Sequence, residues 1–125
     1  AAMFIYGVIN LTGDHVEQDI NKRLYYLTLS AEKNCAFSQF YLGLLYLSGE
    51  YIPEDINEAI HYFTMAAENK HKYAYSPLGL IYLNEKYMKT NINKAIHYLK
   101  LGSDIGDEKS QYYLGHIYWD KKYNA

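Results

Sequence analysis

The side chains able to do chemistry are five histidines, one cysteine, two acidic pairs and an aromatic group near the C-terminus, and their spacing restricts what each could be. His61 and His97 lie 36 residues apart (97 − 61). On neighbouring helices of a regular array such a pair is separated by roughly 10 Å, the usual interaxial distance, which is too far to share one zinc. Solvated histidines are the preferred reading. His15 and His71 fall in expected loops and give no ligand spacing with Cys35, the only cysteine, whose count rules out an intrachain disulfide. Glu54-Asp55 and Asp107-Glu108 stand where helices should begin, and carboxylates there serve the helix dipole, so capping accounts for both pairs. No H-E-x-x-H, G-x-S-x-G, glycine-rich phosphate loop or C-x-x-C occurs. Asn10-Leu11-Thr12 matches the glycosylation triplet, but at the end of an expected helix, where chance is the preferred account. What remains is Tyr112, His116 and Trp119, spaced i, i+4, i+7 on one helical face, and tyrosine and tryptophan dominate binding hot spots. This is the chemistry of a binding surface. No catalytic residue, cofactor or metal is expected.

The bulk properties agree with that reading. The chain has 125 residues, enough for one domain with a real core. Its net charge is −2, and the twelve basic residues are scattered with no run longer than two, which argues against a nucleic-acid footprint or a polybasic membrane anchor. No apolar run approaches the ~20 residues of a membrane span, and the N-terminus lacks the charged and apolar regions of a secretion signal. A cytoplasmic location is the default.

The elements that must position these residues repeat. Y-L-G-L-L-Y at Tyr41–Tyr46 returns as P-L-G-L-I-Y at Pro77–Tyr82 and as Y-L-G-H-I-Y at Tyr113–Tyr118, so Gly43, Gly79 and Gly115 are 36 residues apart (79 − 43 and 115 − 79). Gly7 extends the column backward by the same step. A period between about 20 and 50 residues is the mark of a solenoid. The repeats run over about 1–36, 37–72 and 73–108, with a partial fourth at 109–125. Each unit reads as two helices, A and B. Helix A of the second unit runs from about Ser38 to Ser48. Helix B runs from about Asp55 to Asn69, with Asp55 as N-cap, Glu58 three residues on in capping-box fashion, and Ala59, Tyr62, Phe63 and Ala66 at i, i+3, i+4, i+7. Asp19 and Asn91 fill the cap column in the other units. Asn57, Glu58, His61, Thr64 and Glu68 form the solvent face.

Helix A has no charged residue from Phe37 to Leu47 and is apolar on two faces: Leu42, Leu45 and Tyr46 on one, Phe40, Leu44 and Leu47 on the other. Such a helix is either buried on both sides or offers one side to a ligand. A mid-helix glycine costs roughly 1 kcal/mol against alanine, so the glycine column calls for close approach of a neighbouring helix. The small column Ala2, Ser38, Ala74, Ser110 carries the same implication. Gly13 and Gly49 are expected to act as left-handed stops between A and B, with a weaker stop where Glu85 replaces them. Pro77 fits if its helix starts late, with Ser76 as N-cap. The count is seven helices: three A-B pairs and a closing A from Gly106-Asp107-Glu108 to Trp119.

A small residue, L-G-x-x-Y, a glycine, a cap, K-A-x-x-Y and A-A, in phase on a 36-residue step, resembles the Sel1-like repeat family, a relative of the tetratricopeptide repeat. The second unit supplies Ser38, Leu42-Gly43, Tyr46, Gly49, Asp55, Ala59, Tyr62 and Ala66-Ala67. The third supplies Ala74, Leu78-Gly79, Tyr82, Asn91, Lys94-Ala95 and Tyr98; the fourth supplies Ser110, Leu114-Gly115 and Tyr118. Asn10, Arg23 and Glu85 depart from the pattern. The resemblance implies an all-α fold, a right-handed α-solenoid of antiparallel helix pairs whose helix A faces line a concave groove for peptides or partner domains. The columns it places in that groove are Phe40, Leu44 and Leu47, Leu80 and Leu83, and Tyr112, His116 and Trp119. A cysteine-rich branch that bridges the helices of each repeat is disfavoured, because Cys35 is alone. Two functions follow as expectations: a non-catalytic scaffold or adaptor that binds a protein or peptide in the groove, or a structural spacer within a longer repeat protein. Self-association through exposed solenoid ends accompanies either.

Overall fold

The computed structural model describes residues 13–120, which form six α-helices and one 3₁₀ turn; among the described residues there is no strand. In chain order they are α1 (Gly13–Glu32), α2 (Ala36–Ser48), α3 (Ile56–Glu68), the 3₁₀ turn Lys72–Ala74, α4 (Tyr75–Leu83), α5 (Ile92–Asp104) and α6 (Glu108–Trp119). Short links fold α2 against α3 and α4 against α5, and α6 stands as the closing A helix. The expected first helix A, with Ala2, Gly7 and the Asn10 triplet, lies outside the described residues.

The helix starts are fixed by the caps foreseen from sequence. The Asp55 carboxylate accepts from the Glu58 N–H (3.1 Å), the Asn91 side chain from the Lys94 N–H (3.1 Å), and the Asp107 carboxylate from the Ser110 N–H (3.2 Å) and hydroxyl (2.6 Å). The cap residues' own N–H groups are used elsewhere. That of Asp55 donates to the Tyr46 carbonyl (2.9 Å) and that of Asn91 to the Tyr82 carbonyl (2.8 Å), tying each B helix back to its A helix.

Four local expectations need correction. His15 is helical within α1 rather than in a loop. Gly13 is helical rather than a left-handed stop, and Asp19 lies inside α1 rather than capping it. The stretch Asp14 to Gln18 has no counterpart of Pro53, so nothing breaks the helix there. Pro77 is the third residue of α4, and Ser76 is a buried helical residue instead of the N-cap. Pro77 still loses no bond, since the first four N–H groups of a helix lack intrahelical partners; its ring would crowd the carbonyl four residues back, where the chain takes the tighter 3₁₀ turn.

Gly49 does close α2 in the left-handed conformation (φ +65°). At the Glu85 turn no left-handed residue is used. Asn84 ends α4 instead, its side chain accepting from the Lys86 N–H (3.0 Å) and its carbonyl from the Tyr87 N–H (3.0 Å).

The links from B to the next A are also periodic, a feature the sequence reading missed. Asn34, Lys70 and Gly106, 36 residues apart (70 − 34 and 106 − 70), all have positive φ, at 69°, 59° and 84°. Behind them the N–H groups of Cys35, His71 and Asp107 donate to the carbonyls of Ser30 (3.2 Å), Ala66 (2.9 Å) and Gly102 (2.9 Å), the long bond of a Schellman motif. Gly106 and, more weakly, Asn34 advertise the position; Lys70 does not. Lysine in the left-handed region is strained, so Lys70→Gly is expected to raise the unfolding free energy by about 0.5–1 kcal/mol, measured by urea denaturation.

Packing explains the glycine and small-residue columns. A Cβ on Gly43 would lie 2.7 Å from the ring of Phe63, and one on Gly79 would lie 2.6 Å from Cγ of Leu99. Both neighbours are fully buried. Tyr46 stacks on Tyr62 (6.0 Å, 3° between planes) and Tyr82 on Tyr98 (6.0 Å, 6°) beside those contacts. Burial raises the hydroxyl pKa of Tyr46, Tyr62 and Tyr82. Tyr26, the first-unit member of the tyrosine column, is exposed.

Between units, small residues meet small residues. Ser38 donates to Ser30 (2.7 Å), buried Ala74 lies in register with buried Ala66, and Ser110 contacts Gly102. A third recurring tie joins the units. Gln39 Nε2 donates to the Ala31 carbonyl (3.1 Å), the Tyr75 hydroxyl to that of Ala67 (2.9 Å) and Gln111 Nε2 to that of Ser103 (3.2 Å). A glutamine amide twice and a tyrosine hydroxyl once thus serve one role at one register, the satisfaction of a helix-end carbonyl.

Candidate functional site

The second face of the A helices emerges along one side of the stack in two adjoining cavities. The smaller, of about 330 Å³, is lined by Leu44 and Leu47 of α2, Pro77, Leu80 and Ile81 of α4, Asn84 and Tyr87 of the following turn, and Lys109 and Tyr113 of α6, with Ser76 at its base. The larger, of about 880 Å³, is lined by Leu83 of α4 and by Tyr112, Tyr113, His116, Ile117, Trp119 and Asp120 at the end of α6. Tyr113 borders both. Seven of the eight residues expected to line a groove therefore lie on these two surfaces: Leu44, Leu47 and Leu80 on the first, Leu83, Tyr112, His116 and Trp119 on the second.

Phe40 lines neither cavity. Its ring stacks on the imidazole of His71 (4.8 Å, 15°), which also meets Phe37 edge-on (5.3 Å). His71 lies in the link between α3 and the 3₁₀ turn, as expected, but packs into an aromatic group: its Nδ1 accepts from the Tyr73 N–H (3.3 Å), and burial lowers its pKa.

Exposure divides the surface. Leu44, Leu47 and Leu83 are half-buried and pack on the main core, so they serve stability and surface together. Trp119 is 87% exposed and Tyr112 is 62% exposed, with Tyr112 resting edge-on against His116 (4.4 Å). Their side chains contribute little to holding α6 down. Leu114 and Ile117 do that from the other side of the helix.

The remaining chemical side chains stay apart. His61 and His97 are exposed and lie edge-on against Tyr62 (5.0 Å) and Tyr98 (5.1 Å). Cys35 precedes α2, where hydrogen bonds from Ser30 and Ser38 lower its thiol pKa to about 7. Among the described residues no three His, Cys, Asp or Glu side chains gather to hold a metal, and no helix is long and apolar enough to cross a membrane.

The Sel1 repeat pattern matches residues 1–35, 36–71, 73–107 and 108–120. The chain belongs to the Sel1 repeat family. Sel1 repeat proteins are in general non-catalytic scaffolds for protein interaction, and the helical architecture described above is their α-solenoid. A crystal structure of a Sel1 repeat protein from Oxalobacter formigenes is similar, with a TM-score of 0.72 and 31% identity. So is that of c5321, a protective antigen present in uropathogenic Escherichia coli strains displaying an SLR fold, at a TM-score of 0.73 and 23% identity, a likeness of fold alone. These alignments cover 79% and 78% of this chain but only 40% and 21% of the other two. No curated protein matches.

Within this Sel1 repeat chain, the lining residues not foreseen from sequence are chiefly Tyr113, Tyr87, Lys109 and Ile117. The only sequence signal for Tyr113 was its place next to Tyr112; its column-mate Pro77 also proves to line the smaller cavity. Tyr87 gave none, because it comes from the turn after α4, whose path the Asn84 side chain sets.

Proposed function

We propose that this chain is a non-catalytic adaptor, acting as one solenoid domain, which binds a segment of a partner protein along the second face of its A helices. The observation that carries the reading is the continuity of apolar surface from Leu44 and Leu47 through Leu80 to Leu83, Tyr112, His116 and Trp119, with the exposed indole at its end. An indole left almost wholly in water contributes little to folding and a great deal to an interface that desolvates it. Half-buried leucines beside it supply pockets for apolar side chains, and Lys109 gives the rim one cation. The partner segment therefore carries bulky apolar anchors and enough backbone freedom to follow a shallow trough.

The test compares the chain with its Tyr112→Ala, Trp119→Ala variant for capture of partners from source-cell extract, after thermal melting by circular dichroism. Melting is expected to be the same for both, and the captured protein is expected to be lost from the variant. Equal capture by both would dismiss this surface as the binding site. Leu44→Lys is less discriminating, since Leu44 also packs on the core.

A second reading, a spacer within a longer repeat protein, is supported by one different observation: no described residue covers the face of α6 that carries Gly115 and Tyr118.

A further inference from the structure

Successive units enter their A helices on three different titratable side chains at one register: Cys35, His71 and Asp107, 36 residues apart (71 − 35 and 107 − 71). At Asp107 a carboxylate accepts from the Ser110 N–H (3.2 Å). At His71 the acceptor is Nδ1, which receives the Tyr73 N–H (3.3 Å) at the start of the turn leading into α4. An imidazole nitrogen accepts only while it is unprotonated, so the ring carries its single proton on Nε2. The same ring stacks on Phe40 (4.8 Å, 15°) and meets Phe37 edge-on (5.3 Å). Its backbone is held on both sides: the His71 N–H donates to the Ala66 carbonyl (2.9 Å), and the His71 carbonyl accepts from the Ala74 N–H (3.1 Å).

We propose that His71 is a pH-sensitive latch on the joint between the second and third repeats: neutral, it caps the turn into α4 and covers Phe40; protonated, it releases both. A proton on Nδ1 sets donor against donor, and the Tyr73 N–H loses its acceptor. It also places a charge on a half-buried ring that rests on two phenylalanines. Burial is the larger influence on that ring and lowers its pKa from the usual 6.5, outweighing a backbone hydrogen bond that acts the other way. The elements that meet the ring supply little to offset the charge. From Ala36 to Ser48, α2 has no charged residue, only the Tyr41 phenol and the Cys35 thiol just before it. The last turn of α3 carries Glu68, which is exposed, and α4 carries no charge, its Tyr75 hydroxyl being bonded to the Ala67 carbonyl (2.9 Å). The link itself adds Lys70, Lys72 and Tyr73, with the Lys72 ammonium over the Tyr73 ring (5.9 Å). Because the folded chain holds this proton less tightly than the unfolded chain, stability is complete above pH 6.5 and falls as the pH drops below it. Release also bares Phe40, which shares its column with Ser76 and Tyr112 of the two cavities, so acid adds an aromatic ring to the apolar face of the A helices. This is a property of the free chain, independent of any bound partner.

The test follows the His71 imidazole and the Tyr73 amide of the isotope-labelled chain by NMR from about pH 8 to about pH 5, beside urea unfolding over the same range. His71 is expected to titrate with a midpoint below 6.5, the Tyr73 amide to move with the same midpoint, and the unfolding midpoint in urea to fall with the pH. Two variants isolate the latch. His71→Asn keeps a short acceptor at the cap without a titrating ring, and His71→Phe keeps a ring on Phe40 without acceptor or charge. Each is expected to lose most of the acid-dependent fall; should either fail to fold, the titration of the unaltered chain decides. A His71 midpoint at or above 6.5, as a cation stacked favourably on Phe40 would give, overturns the proposal. So does a Tyr73 amide indifferent to the His71 titration, or an acid-dependent fall in either folded variant equal to that of the unaltered chain.

Discussion

Gly43→Ala is expected to lower the unfolding free energy by about 1–3 kcal/mol, and Gly115→Ala to raise it by up to about 1 kcal/mol. The two residues occupy the same place in the repeat and, in an isolated helix, both would gain from alanine. Their surroundings decide the sign. At Gly43 the new methyl would sit 2.7 Å from two ring atoms of Phe63 and 2.9 Å from a third, and a fully buried ring has nowhere to retreat. At Gly115 the methyl meets no described residue within 4 Å. Gly79→Ala should behave like Gly43→Ala, since Leu99 is equally buried and its Cγ, a branch point rather than a free end, is the nearest atom. Urea titrations of the three variants check this. If all three shifted stability in the same direction, the glycine column would reflect something other than helix approach.

Phe63→Ala should be more damaging still, at about 3–5 kcal/mol, the cost of deleting a fully buried aromatic ring and leaving its cavity. That is a large part of the ~5–15 kcal/mol that holds a typical domain together. The ring covers Gly43 and lies near Phe40 (5.9 Å), so its loss also loosens α2 against α3. Because the ring is what the Gly43 methyl would strike, the two changes should couple. The double variant Gly43→Ala, Phe63→Ala is expected to be more stable than the sum of the single effects predicts, by about 0.5–3 kcal/mol, since the methyl then enters vacated space. Additive effects in denaturant unfolding would contradict the packing described between the two helices.

Much of this was legible from residue types at fixed spacing. Asp55, Asn91 and Asp107 could be read as caps because a short polar acceptor before an apolar helical stretch has one obvious use. Gly43 and Gly79 could be read as points of contact because glycine inside a helix is costly unless something needs its missing Cβ. The B-to-A links were harder to read: Asn34 and Lys70 share the backbone conformation of Gly106, but asparagine announces it only weakly and lysine not at all. The Gln39, Tyr75 and Gln111 ties escaped notice for a related reason. Glutamine fills that position twice, but tyrosine fills it in the middle unit, so only the geometry repeats in every unit. Asp19 misled in the opposite direction, having the chemistry of a cap without a break in the chain before it.

For the candidate surface, helical periodicity was enough to place Leu44, Leu47, Leu80, Leu83, Tyr112, His116 and Trp119 on two adjoining cavities. It could not tell that Phe40, in the same column as Ser76 and Tyr112, is covered by the His71 imidazole. That cover comes from the Schellman turn at Lys70, which delivers His71 onto α2. Nor could periodicity separate half-buried leucines from an indole left in water. Helix A is apolar on two faces, and only the packed stack divides its apolar positions between holding the repeats together and facing outward.

The central claim, that the outward face of the A helices receives the partner, is tested most directly by site-specific photo-crosslinking. A photoreactive phenylalanine analogue placed at Leu80 or Trp119 is compared with the same analogue at His61, on the exposed face of α3. The account predicts that one partner band forms from positions 80 and 119 and is absent from position 61. A partner that crosslinks at 61, with nothing captured at 80 or 119, would contradict it and move the binding surface to the B helices.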